Sequence, residues 1–193
     1  MSKQQETIME NDNRTQGKIA TKTIVEIAMF TAILAILSQV SIPMPSGVPI
    51  TLQTFAVALI GVVLAWKFGA VSVVVYILLG AIGVPVFAGF SGGAQVLVNY
   101  TGGFIWGFIF MAALCGVGSV MKNKVLGFVV GMAGLAICHL LGVLQFMVVM
   151  GMGFGESFAL VSAPYLIKDV ISVILAFVVG GQIRKRLIKA NLL

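Results

Sequence analysis

From residue 23 onward the chain is a series of long apolar runs divided by short polar or basic stretches. The runs are continuous rather than alternating, so they read as helices and exclude the strands of about 10 residues that build a membrane barrel. Spans are predicted near 23–41, 50–66, 68–84, 103–121, 125–150 and 166–184, each near the length of about 20 residues that crosses the hydrocarbon core. The second and third are divided only by Trp66-Lys67, an interfacial aromatic beside a charge. The pattern predicts an all-α integral membrane protein with six transmembrane helices in one domain over 23–193. A polar segment over 1–22 precedes it, and residues 1–20, lacking an apolar face, are expected to be disordered.

Charge sharpens the picture. Of 193 residues, 60% are hydrophobic and 9% charged, and the mean hydropathy is +1.11, far from the surface composition a soluble domain needs. No Asp, Glu, Lys or Arg lies between Glu26 and Lys67, between Lys67 and Lys122, or between Asp169 and Arg184. Arg14, Lys18, Lys22, Lys67, Lys122, Lys124, Arg184, Lys185, Arg186 and Lys189 all fall on one side of a six-span arrangement, leaving Lys168 on the other. That is the positive-inside pattern, with both termini cytoplasmic and the chain a multi-pass protein of the cell (plasma) membrane. The net charge of +6 therefore reports topology, and no basic patch interleaved with aromatics points to nucleic acid. The polar N-terminal stretch is too long, and the run after it long enough to span, for a cleaved signal peptide. Cys115 and Cys138 fall within spans as small buried thiols, with neither disulfide nor metal spacing.

The inner connections are short and basic, whereas the outer ones, 41–49, 85–103 and 151–163, are rich in Gly, Pro and uncharged polar groups. The long outer loop between helices 3 and 4 keeps Val86, Phe87, Phe90, Val96, Leu97 and Val98, and is expected to be ordered and folded over a pocket. Small residues recur at four-residue spacing in Ala28/Ala32, Gly103/Gly107 and Gly127/Gly131, as close helix approach requires. No internal repeat is evident, which weighs against the inverted-repeat transporters.

No nucleophile elbow, zinc motif, P-loop or dinucleotide fingerprint occurs, so no catalytic residue, metal or cofactor is expected. The best pair for an enzyme, His139 with Asp169, is expected to lie at different membrane depths, and His139 reads as a hydrogen-bonded structural residue. Binding candidates gather near the outer face. Asp169 sits just inside the sixth span, where the helix N-terminus favours a carboxylate. The adjacent Lys168 is expected to point elsewhere and snorkel to the surface. Gln53 must find a hydrogen-bond partner, in a ligand or a neighbouring helix. Asn99 and Tyr100 precede Thr101, itself a candidate N-cap, and Trp106 stands one turn further on. An apolar pocket holding one carboxylate, two amides, hydroxyls and aromatics suits a small, mostly neutral ligand.

In the stretches Val48-Pro-Ile-Thr-Leu-Gln-Thr-Phe55, Gly83-Val-Pro-Val-Phe-Ala-Gly-Phe-Ser-Gly-Gly93, Thr101-Gly-Gly-Phe104 and Pro164-Tyr-Leu-Ile-Lys-Asp169, the sequence resembles the biotin-specific substrate-capture subunits (S-components) of energy-coupling factor transporters, the BioY family. The resemblance implies a six-helix subunit that binds biotin from outside and associates with a transmembrane coupling protein and two ATPase subunits. It implies that Asp169 accepts the ureido N–H groups and Asn99 donates to the ureido oxygen, with Gln53, Tyr100, Tyr165 and Trp106 lining the pocket. Ala28 and Ala32 match the motif that docks the coupling protein. Two positions depart from the family pattern: Asn99-Tyr100 stands where Gly-Pro usually precedes Thr-Gly-Gly, and Ser172 stands where a Lys usually follows the acid by three residues. Lys168, hydroxyls or backbone N–H groups are left to neutralise the valerate carboxylate. The alternatives are capture of another vitamin, such as thiamine or riboflavin, and a membrane enzyme.

Overall fold

The computed structural model describes residues 3–190, and side chains from residue 21 onward. Residues 1–2 and 191–193, the outer ends of the two segments predicted above, lie outside the described residues. The fold is a helical bundle. Helix α1 (Lys3–Ser38) leads to a short antiparallel pair, β1 (Ser41–Ile42) and β2 (Ile50–Thr51), which closes the Pro-rich loop between them. Then follow α2 (Gln53–Ala81), a 3-10 turn at Ala88–Phe90, α3 (Ala94–Val98), α4 (Gly102–Val120), α5 (Lys124–Met150), α6 (Phe154–Val161) and α7 (Ala163–Lys189).

Among the described residues, five helices are long and apolar enough to cross a membrane. Helix α1 begins at Lys3, so the polar segment expected to be disordered continues the first apolar span as helix. No proline occurs before Pro43, and the segment is rich in Lys, Gln, Glu and Met, which propagate a helix readily. Within the apolar part, Phe30, Thr31, Leu34 and Ser38 face the bundle, while Ile24, Val25, Met29 and Ile36 are exposed. The stripe follows the helical period.

The 50–66 and 68–84 spans fall in α2, whose backbone breaks at Ala65 (φ 61°, ψ −179°). The two halves fold back on one another. A methyl group on Gly69 would stand 2.9 Å from the Gly61 Cα. Gln53, at the start of the first half, is hydrogen-bonded to Tyr76 near the end of the second.

Helices α2, α4 and α5 form the centre of the bundle through glycine contacts. A Cβ on Gly61 would lie 2.2 Å from the Ala112 carbonyl oxygen. Those on Gly103 and Gly107 would strike Leu141 and Cys138 of α5, while Gly118 and Gly127 meet backbone to backbone. Such spacing lets helix axes approach closely enough for dense packing. By contrast, Ala28 and Ala32 on α1 are exposed. Cys115 and Cys138 are separate buried thiols.

The segment from Pro85 to Gly103 is ordered by its apolar residues. Phe87 is fully buried, edge-on to Tyr76 with ring centroids 5.4 Å apart, and it fills the space a side chain on Gly80 would need. Leu97 is buried too, while Phe90, in the left-handed region at φ 57°, projects outward.

Candidate functional site

Where β2, the 87–101 segment and the adjacent ends of α2, α4, α5 and α7 converge, they enclose a cavity of about 350 Å³. Its apolar wall includes Phe87, Phe104, Phe108 and Leu135, and its polar wall includes Thr51, Thr54, His139, Lys168 and Asp169. One polar cluster against an aromatic wall suits a ligand with a hydrogen-bonding end and an apolar body.

Helix α7 presents Tyr165, Asp169, Ser172 and Val173 on its buried stripe, so helical periodicity carries the carboxylate inward. Asp169 is 5% exposed. Its Oδ2 lies 3.2 Å from His139 Nε2, and its Oδ1 pairs with the Lys168 ammonium. His139 Nδ1 lies 2.9 Å from Ser162 Oγ, and the imidazole meets the Phe104 ring edge-on with centroids 5.9 Å apart.

This corrects the expectation that His139 and Asp169 occupy different depths. Helix α5 continues 11 residues past His139, whereas α7 starts 6 residues before Asp169. At 1.5 Å per residue, α5 stands taller by about 7.5 Å, and α6 spans the step. Lys168 is a second correction, since it does not snorkel outward. Its flexible stem brings the ammonium to Asp169, to the Thr51 carbonyl at 3.0 Å and to Thr54 Oγ1 at 3.4 Å. A buried carboxylate left without a counter-charge would be far more costly than the ordered lysine chain.

The other predicted residues divide between wall and scaffold. Tyr165 lines the cavity with its hydroxyl already engaged: it donates to the Val48 carbonyl at 2.5 Å and accepts from Ser46 at 2.8 Å. Tyr100 lines it with its hydroxyl 3.4 Å from the Gly47 carbonyl. Asn99 reaches it with Oδ1 accepting from the Tyr100 N–H at 2.8 Å. Gln53 lines it as well, but its amide is committed. Nε2 donates to Tyr76 Oη at 2.8 Å, and Oε1 accepts from Thr51 at 3.1 Å. Of the two partners the sequence left open, it takes a helix, the second half of α2 beyond the break at Ala65.

Trp106 is not in the wall. It is 42% exposed and its indole N–H donates to the Leu97 carbonyl at 3.2 Å, tying the loop to α4 from outside. Thr101 occupies the N-cap position of α4 without a side-chain capping bond. Sequence reasoning missed Ser162 and Gln145. The Gln145 amide donates to the Leu97 carbonyl at 2.9 Å and the Asn99 carbonyl at 2.6 Å, holding the far end of the loop. Nothing in their local sequence marks either one.

The near end of the loop is held at the Val86 carbonyl. Ser38 Oγ approaches it at 2.5 Å, Tyr76 Oη at 3.1 Å and Gln39 Nε2 at 3.1 Å. Helix α1, the second half of α2 and the loop therefore share one acceptor.

Comparison with known proteins agrees with this architecture. Residues 8–189 match the family model described as the BioY family. The chain is 37% identical over 167 residues to the biotin transporter BioY of Thermotoga maritima, covering 85% of this chain and 96% of that protein. It is 33% identical over 163 residues to the probable biotin transporter BioY of Pyrococcus horikoshii, covering 84% and 96%. Among solved structures it matches the S-component for biotin from an ECF-type ABC transporter with a TM-score of 0.79 and 26% identity, over 87% of this chain and 93% of that one. On the match of the family model and of these relatives along nearly their whole length, this chain belongs to the BioY family.

Proposed function

We propose that this chain is a high-affinity biotin-binding membrane subunit for vitamin uptake. The observation that carries the reading is a cavity of about 350 Å³ whose buried acid, Asp169, meets the bundle's aromatic interior in a member of a family whose relatives are named biotin transporters. The chain is a transporter component and not an enzyme, and its place is the plasma membrane as a multi-pass protein.

In detail, the hairpin at Ala65 supports counting α2 as two crossings, six in all with α1, α4, α5 and α7. With basic residues inside, both termini and the 1–22 segment are cytoplasmic, and the cavity opens outward beneath the 85–103 loop. Asp169 accepts the ureido N–H groups of biotin, and the Asn99 amide donates to the ureido oxygen, a pairing its two N–H bonds allow. Tyr100, Tyr165 and Gln53 complete the wall. Since Lys168 is committed to Asp169, the valerate carboxylate is left to hydroxyls and backbone N–H groups. Ala28 and Ala32, exposed on α1, dock a transmembrane coupling protein, which links the subunit to two ATPase subunits.

The test is to identify by mass spectrometry the ligand carried by the detergent-purified protein and then to titrate it with biotin. Stoichiometric, saturable biotin binding is the expected result. Tighter binding of thiamine or riboflavin than of biotin would overturn the assignment and leave the capture architecture standing.

A further inference from the structure

We propose that His139 is a positioning residue of the ligand site: its Nε2–H, oriented by Ser162, holds one oxygen of the Asp169 carboxylate and so fixes the plane in which the acid meets ligand N–H donors. The inference rests on the biotin reading above and names a residue that the reading did not use.

For the neutral imidazole the hydrogen-bond chain assigns the tautomer. Nε2 lies 3.2 Å from a carboxylate oxygen, an acceptor only, so the ring proton belongs on Nε2. Nδ1 is then the acceptor, and the Ser162 hydroxyl donates to it at 2.9 Å. Ser162 is fully buried, at the junction between α6 and α7, so the backbone turn into α7 determines where that hydroxyl stands. The edge of the Phe104 ring restrains the imidazole from another side, and that ring occupies the space a Cβ on Gly142 would need. The imidazole thus has a donor partner, an acceptor partner and a packed neighbour, and it is 6% exposed.

On the carboxylate, Oδ2 is committed to His139. Oδ1, also buried, pairs with the Lys168 ammonium. The plane of the carboxylate is therefore held at both oxygens, by the imidazole on one and by the ammonium on the other. An ionised carboxylate offers about four lone-pair sites, more than these two partners use. A ligand whose buried end carries N–H donors and no charge fits the lone pairs that remain. A carboxylate at the same depth would face Asp169 with Lys168 already neutralised.

Glutamine and asparagine separate the two ring nitrogens, since a Gln amide N–H₂ falls near the position of Nε2 and an Asn amide near that of Nδ1. Biotin titration of purified His139→Gln is expected to stay within about threefold of the native protein, while His139→Asn and His139→Leu lose at least about tenfold, the scale of a hydrogen bond to a charged group. In an Asp169→Asn background the His139→Leu loss is expected to vanish, as coupled residues require. Ser162→Ala, which leaves the imidazole in place, is expected to weaken binding severalfold. Equal affinities for the Gln and Asn variants, a His139→Leu loss undiminished without the Asp169 carboxylate, or full affinity in Ser162→Ala would each overturn the positioning role. Failure of the native protein to bind biotin would instead sink the functional reading, so the two failures are distinguishable.

Discussion

Gln53 Nε2 donates to Tyr76 Oη at 2.8 Å, although the two residues stand 23 positions apart, on the two apolar runs that Trp66-Lys67 divides. In a straight helix they would be separated by roughly 35 Å. The contact exists because the backbone reverses at Ala65, where the Arg184 guanidinium donates to the Val63 carbonyl at 2.6 Å and Gly116 leaves room for the chain at Trp66. The reversal returns the second half of α2 to the level of the cavity, where Tyr76 can anchor the loop at Val86.

Ala65 is strained, in a backbone region that is nearly exclusive to glycine and costs on the order of 1–3 kcal/mol for other residues. Ala65→Gly is expected to raise thermal stability in detergent by about 1 kcal/mol, after the extra chain entropy of glycine is subtracted. Ala65→Val is expected to lower it. Unfolding midpoints of the three proteins check this, and a lower midpoint for the glycine variant would contradict the strain.

Tyr76→Phe removes the acceptor of a buried Gln53 amide and one donor to the Val86 carbonyl, which keeps Ser38 and Gln39. An unsatisfied buried amide costs about 1–3 kcal/mol. The expected outcome is a lower unfolding midpoint with ligand affinity little changed, because Tyr76 is outside the cavity wall. A large affinity loss at unchanged stability would mean that the hydroxyl serves the ligand.

Asp169→Asn is expected to lower biotin affinity by one to two orders of magnitude, since charge-assisted hydrogen bonds contribute about 1.5–3 kcal/mol. Equilibrium titration measures it. Unchanged affinity would remove Asp169 from the site.

Ala28→Trp is expected to leave biotin binding intact while abolishing co-purification with the coupling protein, because bulk on a small-residue face prevents close helix approach. Ala28 is exposed and away from the cavity, so a binding defect is not expected. Retained association would refute the docking assignment.

Asp169 was legible because a lone carboxylate within an apolar span stands out against its surroundings, and the α7 periodicity carries it inward. The glycine pairs on α4 and α5 were equally plain from their spacing. Lys168 misled for a physical reason: helical geometry separates adjacent side chains by direction, but a four-carbon stem is long enough to bend back to its neighbour's carboxylate. Gln53 read correctly as a buried amide in need of a partner, yet nothing local could say that Tyr76 supplies it. The resemblance implies that Trp106 lines the pocket, but the rotation of α4 turns it outward.

Residue order alone carries the solvent of this protein and its helical character, because burial in lipid demands long apolar runs with internally satisfied backbones, and its family, because four short motifs stand in order along it. Which polar groups meet depends on how the helices pack. The His139–Asp169 pair spans 30 positions and depends on the height difference between α5 and α7 that α6 bridges. Side-chain periodicity specifies a direction around a helix axis, whereas depth and partnership depend on how the helices are broken and stacked against each other.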